Sequence, residues 1–84
     1  VASAFRIEEV YPQPVPAGAP LTVRLQGTRS CTLLLHDMLG RELRRMDANG
    51  DLVRFPTEGL VPGMYILTAR QGTVLSSQRV HIRN

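Results

Sequence analysis

Eighty-four residues leave room for one domain with a thin core, because a chain this short keeps more of its unfolded surface in water than a larger domain does. No apolar run approaches the ~20 residues of a membrane-spanning helix, and no basic-then-apolar leader opens the chain, which reads as a piece of a longer one. A pI near 10.0 points toward nucleic acid, but the net charge is only +3, the ten arginines are scattered, and two Tyr with two Phe make no stacking platform.

Period two recurs along the chain and period 3.6 does not. Phe5 and Ile7 alternate with Arg6 and Glu8, which predicts a strand over 5–10. Prolines at 12, 14 and 16 then remove backbone donors after Tyr11. They predict an extended, polyproline-like crossover outside any ladder, anchored at one end of the fold by the Tyr11 ring. Leu21, Val23 and Leu25 alternate with Thr22, Arg24 and Gln26, a half-buried strand over 21–26. The run Leu33-Leu34-Leu35 predicts a strand over 32–37 that is covered on both faces, with Cys31 beside it as a small buried hydrophobe. Leu39-Gly40 turns the chain into a strand over 41–46 with Leu43 inward.

Asn49-Gly50 reads as a hairpin turn, since both residues tolerate positive φ, and it leads to a strand over 52–55. Pro56, Gly59, Pro62 and Gly63 exclude a helix in the next stretch. Leu60 to Tyr65 opens a strand over 64–70. A tyrosine in that position can hydrogen-bond back to its own loop, and Gly63 supplies the backbone freedom such a corner needs. Gln71-Gly72 joins this strand to the last one, over 74–82. Seven short strands with turns every ten or so residues predict an all-β fold, a β-sandwich.

The residues offer little chemistry. One cysteine forms no internal disulfide, and His36 and His81 lack companions at metal-ligand spacing. His36-Asp37 looks like part of a triad, but Ser3, Ser30, Ser76 and Ser77 stand in no nucleophile-elbow context. No catalytic, cofactor or metal site is expected. The last strand is more informative: Arg79, His81 and Arg83 fall on one face, Val80 and Ile82 on the other. At a sheet edge such a strand can accept a partner by β-augmentation, or it can be a plain edge guarded by arginine. A fibronectin-III-like accessory module for adhesion or carbohydrate binding also fits this pattern, although a sugar-binding module calls for exposed aromatics.

Five landmarks come in a telling order: Tyr11-Pro12-Gln13-Pro14, Leu21-Thr22-Val23, Leu35-His36-Asp37-Met38-Leu39-Gly40-Arg41, Leu60-Val61-Pro62-Gly63-Met64-Tyr65-Ile66-Leu67, and Arg79-Val80-His81-Ile82-Arg83. In this order they resemble the C-terminal sorting domain, type A, of type IX secretion system cargo proteins. The family usually has asparagine where this chain has Gln13, and glutamine caps its own backbone less well.

The resemblance implies an immunoglobulin-like, seven-stranded antiparallel β-sandwich over residues 1–84, with 1–4 as linker from an upstream cargo and the natural chain stopping after Asn84. It implies a sorting signal with no catalysis of its own, any enzymatic activity belonging to the cargo. Expected partners are an outer-membrane shuttle, the translocon and a cell-surface sortase, with no nucleic acid and no small-molecule substrate, the domain being monomeric or weakly self-associating. The implied route runs through the periplasm to the outer-membrane surface or the extracellular space, commonly with removal of the domain. Tyr11, Pro12, Pro14, Asp37, Gly40, Arg41, Leu60, Gly63 and Tyr65 carry the motif. Arg79, Val80, His81, Ile82, Arg83 and Asn84 are the expected recognition segment, and its deletion is expected to leave a residual sandwich.

Overall fold

The computed structural model describes residues 5–27 and 30–84, so the expected linker over 1–4 lies outside the described residues. The described chain is built from strands: β1 (Arg6–Tyr11), β2 (Val15–Pro16), β3 (Leu21–Gln26), β4 (Ser30–Asp37), β5 (Glu42–Asn49), β6 (Leu52–Phe55), β7 (Gly63–Gln71) and β8 (Val74–Arg83). They form two sheets, one ordered β1-β3-β6 and the other β2-β8-β7-β4-β5. All pairings are antiparallel except the short β2–β8 pair, which is parallel. The all-β expectation and the positions of seven strands hold; β2 is an additional, two-residue element.

One core lies between the sheets. Val23 and Leu21 from one side and Leu33, Leu35, Leu67, Val80 and Ile82 from the other have no exposed surface. The period-two pattern sends these residues inward because successive side chains on a strand point to opposite faces. Where the pattern breaks, the backbone adjusts. Two glutamates separate Ile7 from Val10, and a bulge between Ile7 and Glu9 absorbs the extra residue so that both apolar side chains face the core. Leu34 points to the outer face but is still buried, between its cross-strand neighbours Arg45 and Thr68, so the triple-leucine run is covered on both faces.

Four expectations need correction. Leu43 is exposed rather than inward, because Arg44, Met46 and Ala48 lie opposite the inward Leu35, Leu33 and Cys31, and strand alternation then turns Leu43 out. Asn49-Gly50 closes no hairpin. Only Gly50 has positive φ, +88°, and the turn passes the chain from β5, paired with β4, to β6, paired with β3 in the other sheet. Pro16 lies inside a ladder, opposite Arg83, since a proline at an edge loses nothing where no donor is required. In place of a continuous polyproline-like path, the peptide bonds before Pro12 and Pro14 are cis. Among the described residues no helix is long and apolar enough to cross a membrane.

Candidate functional site

The last strand is held from two sides. β7 pairs along its full length, from Gly63↔Ile82 to Gln71↔Val74 across the two-residue turn Gly72-Thr73. On its other edge lies a strap, residues 12–17. Val15 and Pro16 run parallel to Ile82 and Arg83, and the Ala17 N–H donates to the Arg83 carbonyl at 2.8 Å. Two residues earlier the backbone pairing stops and the Gln13 side chain replaces it. Its Nε2 donates to the Arg79 carbonyl at 2.8 Å, and its Oε1 accepts from the His81 N–H at 3.2 Å.

A parallel partner opposite residue i bonds to the carbonyl of i−1 and the N–H of i+1. Here i is Val80, so the Gln13 amide does for Val80 what the backbone of a continuous strand would do. The register is uniform, 13 opposite 80 and 15 opposite 82. Asparagine is one methylene shorter, so the glutamine that departs from the family pattern acts here as a reach, unread in the sequence. Two prolines framing one amide side chain were the available signal.

The expected open edge at 79–83 is therefore occupied by Gln13 and β2. Val80 and Ile82 are fully buried, while Arg79, His81, Arg83 and Asn84 are exposed, and Arg83 Nη1 donates to the Asn84 carbonyl at 2.9 Å. Because the segment contributes two core side chains and anchors the strap, its deletion would open the core. The expectation of a residual sandwich is withdrawn on that ground.

The other motif residues gather at one end of the sheet. Asp37 closes the β4–β5 turn: Oδ1 accepts from the N–H of Leu39 and of Arg41, both at 2.9 Å, and Oδ2 accepts from the Arg41 guanidinium at 2.7 Å. These donors, the Arg41 backbone N–H foremost, hold the Asp37 carboxyl below its ordinary range. Gly40 takes φ +87°, a conformation that glycine adopts freely.

Across the ladder from Asp37 stands Tyr65, 5% exposed, whose hydroxyl donates to the Val61 carbonyl and completes the expected corner. Gly63 takes φ +156° at the bend, and Leu60 packs on the core. Asp37, Arg41, Leu60, Gly63 and Tyr65, drawn from two distant stretches, thus line one shallow groove. Met64 sits in that groove and opposite His81 on β8, so the groove and the terminal strand are continuous. Tyr11 and Pro12 lie on the strap side instead, where the end of β1 pairs Tyr11 with Thr22. Pro14 also lies on that side, next to β2.

Among the described residues, no group of His, Cys, Asp and Glu could hold a metal ion. Cys31 is buried in the core. What the arrangement offers is shape: a strand with a cationic outer row, a turn and a corner fixed beside it.

The chain has no match among curated proteins. The family model of the secretion system C-terminal sorting domain matches residues 9–83, a stretch that takes in the strap, both walls of the groove and β8 as far as Arg83. That span is nearly the whole chain, and the chain therefore belongs to this family, whose domains are the sorting signals of type IX secretion.

Proposed function

We propose that the machinery reads this domain at its last strand, through Arg79 to Asn84, and that residues 1–84 act as one sorting unit attached to an upstream cargo. Family membership implies export across the outer membrane to the cell surface or beyond. In our reading the cargo waits folded in the periplasm, an outer-membrane shuttle and the translocon receive the domain, and a surface sortase removes it. The domain itself performs no chemistry. The single observation that carries the reading is the split of the terminal strand: Val80 and Ile82 lock it into the core while the Arg79, His81 and Arg83 side chains are exposed on the outside. A signal must be rigid to be specific and exposed to be read, and this strand is both. The two sheets with a tyrosine corner favour an immunoglobulin-like arrangement, with β2 as an addition.

The test is a reporter fused upstream of Val1 in a Gram-negative host that has the type IX translocon, followed by fractionation. The full domain should carry the reporter to the surface or the medium. Retention of the folded reporter in the periplasm would refute the reading.

A further inference from the structure

The charge of this chain is divided unevenly. Residues 1–58 hold seven arginines and seven acids; residues 59–84 hold Arg70, Arg79 and Arg83 and no acid. The whole net charge of +3 therefore resides on β7, β8 and their approach. The ion pairs Arg24–Glu9, Arg41–Asp37 and Arg45–Glu42 all neutralise arginines of the first part. Among the described residues no ion pair reaches Arg70, Arg79 or Arg83.

Register puts these cations on one face. His81 lies opposite Met64 and Arg79 opposite Ile66, while Arg70 and Arg83 alternate onto the same outer side. Residues two apart on a strand stand about 6.7 Å from one another, so Arg79, His81 and Arg83 form a row about 13 Å long. Beside the row lie the half-buried Ile66 and Met64, which is 38% exposed. Among the described residues no strand packs on this face.

We propose that the outer face of β7 and β8 docks on an acidic protein surface of the secretion machinery, one that sets carboxylates against Arg79 and Arg83 around an aliphatic centre placed on Ile66 and Met64. This rests on the sorting reading and names the chemistry of its partner. Arginine and methionine are favoured in interface cores, and complementary charge supplies both encounter rate and choice of partner. A membrane is the weaker occupant, because polybasic attachment to anionic lipid uses about 4–8 clustered cations and this face has three arginines. Nucleic acid is weaker still, as the face carries no aromatic ring for stacking.

The experiment compares three double variants in the reporter fusion. Arg79→Glu with Arg83→Glu reverses the row; Arg79→Lys with Arg83→Lys keeps its charge; Arg6→Glu with Arg54→Glu makes the same charge change on the other sheet. Thermal melts of the purified domains confirm that each is folded. Export should fall by roughly tenfold or more in the first variant, since a like-charged contact disfavours docking steeply, and stay near the parent in the other two. Normal export of the reversed row overturns the proposal, as does an equal loss in the Arg6 and Arg54 variant, which would mean that only total charge matters. Sedimentation of the parent domain with phosphatidylglycerol-containing vesicles at physiological salt assigns the face to lipid and overturns it too. If the parent domain itself fails to export, the sorting reading falls first, and that result is distinct from all of these.

Discussion

Replacing Gln13 by alanine removes two hydrogen bonds from the free edge of β8 and nothing from the core, because the side chain is exposed. A net hydrogen bond contributes about 0.5–1.5 kcal/mol, and the one at 3.2 Å belongs at the weak end of that range, so the loss is about 1–2 kcal/mol. For a domain of this size each kcal/mol moves the melting temperature by about 4–8 °C, which places the Gln13→Ala transition roughly 4–16 °C below the parent. Asparagine should fall nearly as far, as it is too short to meet the Arg79 carbonyl and the His81 N–H together.

Gln13→Glu keeps the length but sets a carboxylate against the Arg79 carbonyl. Its deficit should be largest at neutral pH and shrink as the carboxyl protonates and can donate. Calorimetry gives the size, and amide exchange gives the place: the His81 N–H should lose protection while Val80 and Ile82, whose amides alternate to face β7, keep theirs. A Gln13→Ala domain that melts within about a degree of the parent, with His81 still protected, would refute the strap as described.

Tyr65→Ala should cost about 3–5 kcal/mol, as the ring is almost wholly buried. Tyr65→Phe should cost about 1 kcal/mol, the bond to Val61 alone, and chemical denaturation separates the two. The Asp37 carboxyl is held below its ordinary value of 3.8, so its contribution is complete above that pH and is lost as pH falls through the lower folded value. The gap in melting temperature between the parent and Asp37→Asn should therefore be constant at neutral pH and narrow in acid. Glu42, lowered in the same direction by Arg45, adds a similar acid limb that Asp37→Asn leaves intact. Arg79→Ala with Arg83→Ala should melt within about 1 kcal/mol of the parent, because exposed charges contribute little to stability. A larger loss would mean that the row supports the fold as well as recognition.

Strand positions were legible wherever alternation was regular, as in Leu21 to Gln26 or Tyr65 to Ala69, because burial of one face selects period two directly. The corner was legible too, since an aromatic after Pro-Gly has few other uses. What escaped depended on long-range geometry. Leu43 is the apolar residue that alternation in the sequence would turn inward, but the pairing with β4 places Arg44, Met46 and Ala48 on the inner face instead. Asn49-Gly50 has the composition of a hairpin, and only the sheet assignment of β6 shows that it links two sheets. Gln13 is the clearest case. Its partners are 66 and 68 residues away, and no local pattern announces a side chain that stands in for a strand. The groove formed by the two motif stretches was recognisable as motif but not as one place, because Asp37 meets Tyr65 only through the β4–β7 pairing.

The strap also orders events in time. Its partners are at the far end of the described chain, so whenever the chain emerges from its amino end, residues 12–17 must wait for nearly the whole sequence before they can dock. Contacts of such separation form slowly, after the entropy of closing a long loop has been met. Until then Val80 and Ile82 are missing from the core, and Val15 has no seat. A chain cut short before Val80 would remain in that unfinished condition, prone to proteolysis and open to chaperones. The strap can therefore close only once the chain has been made as far as Arg83.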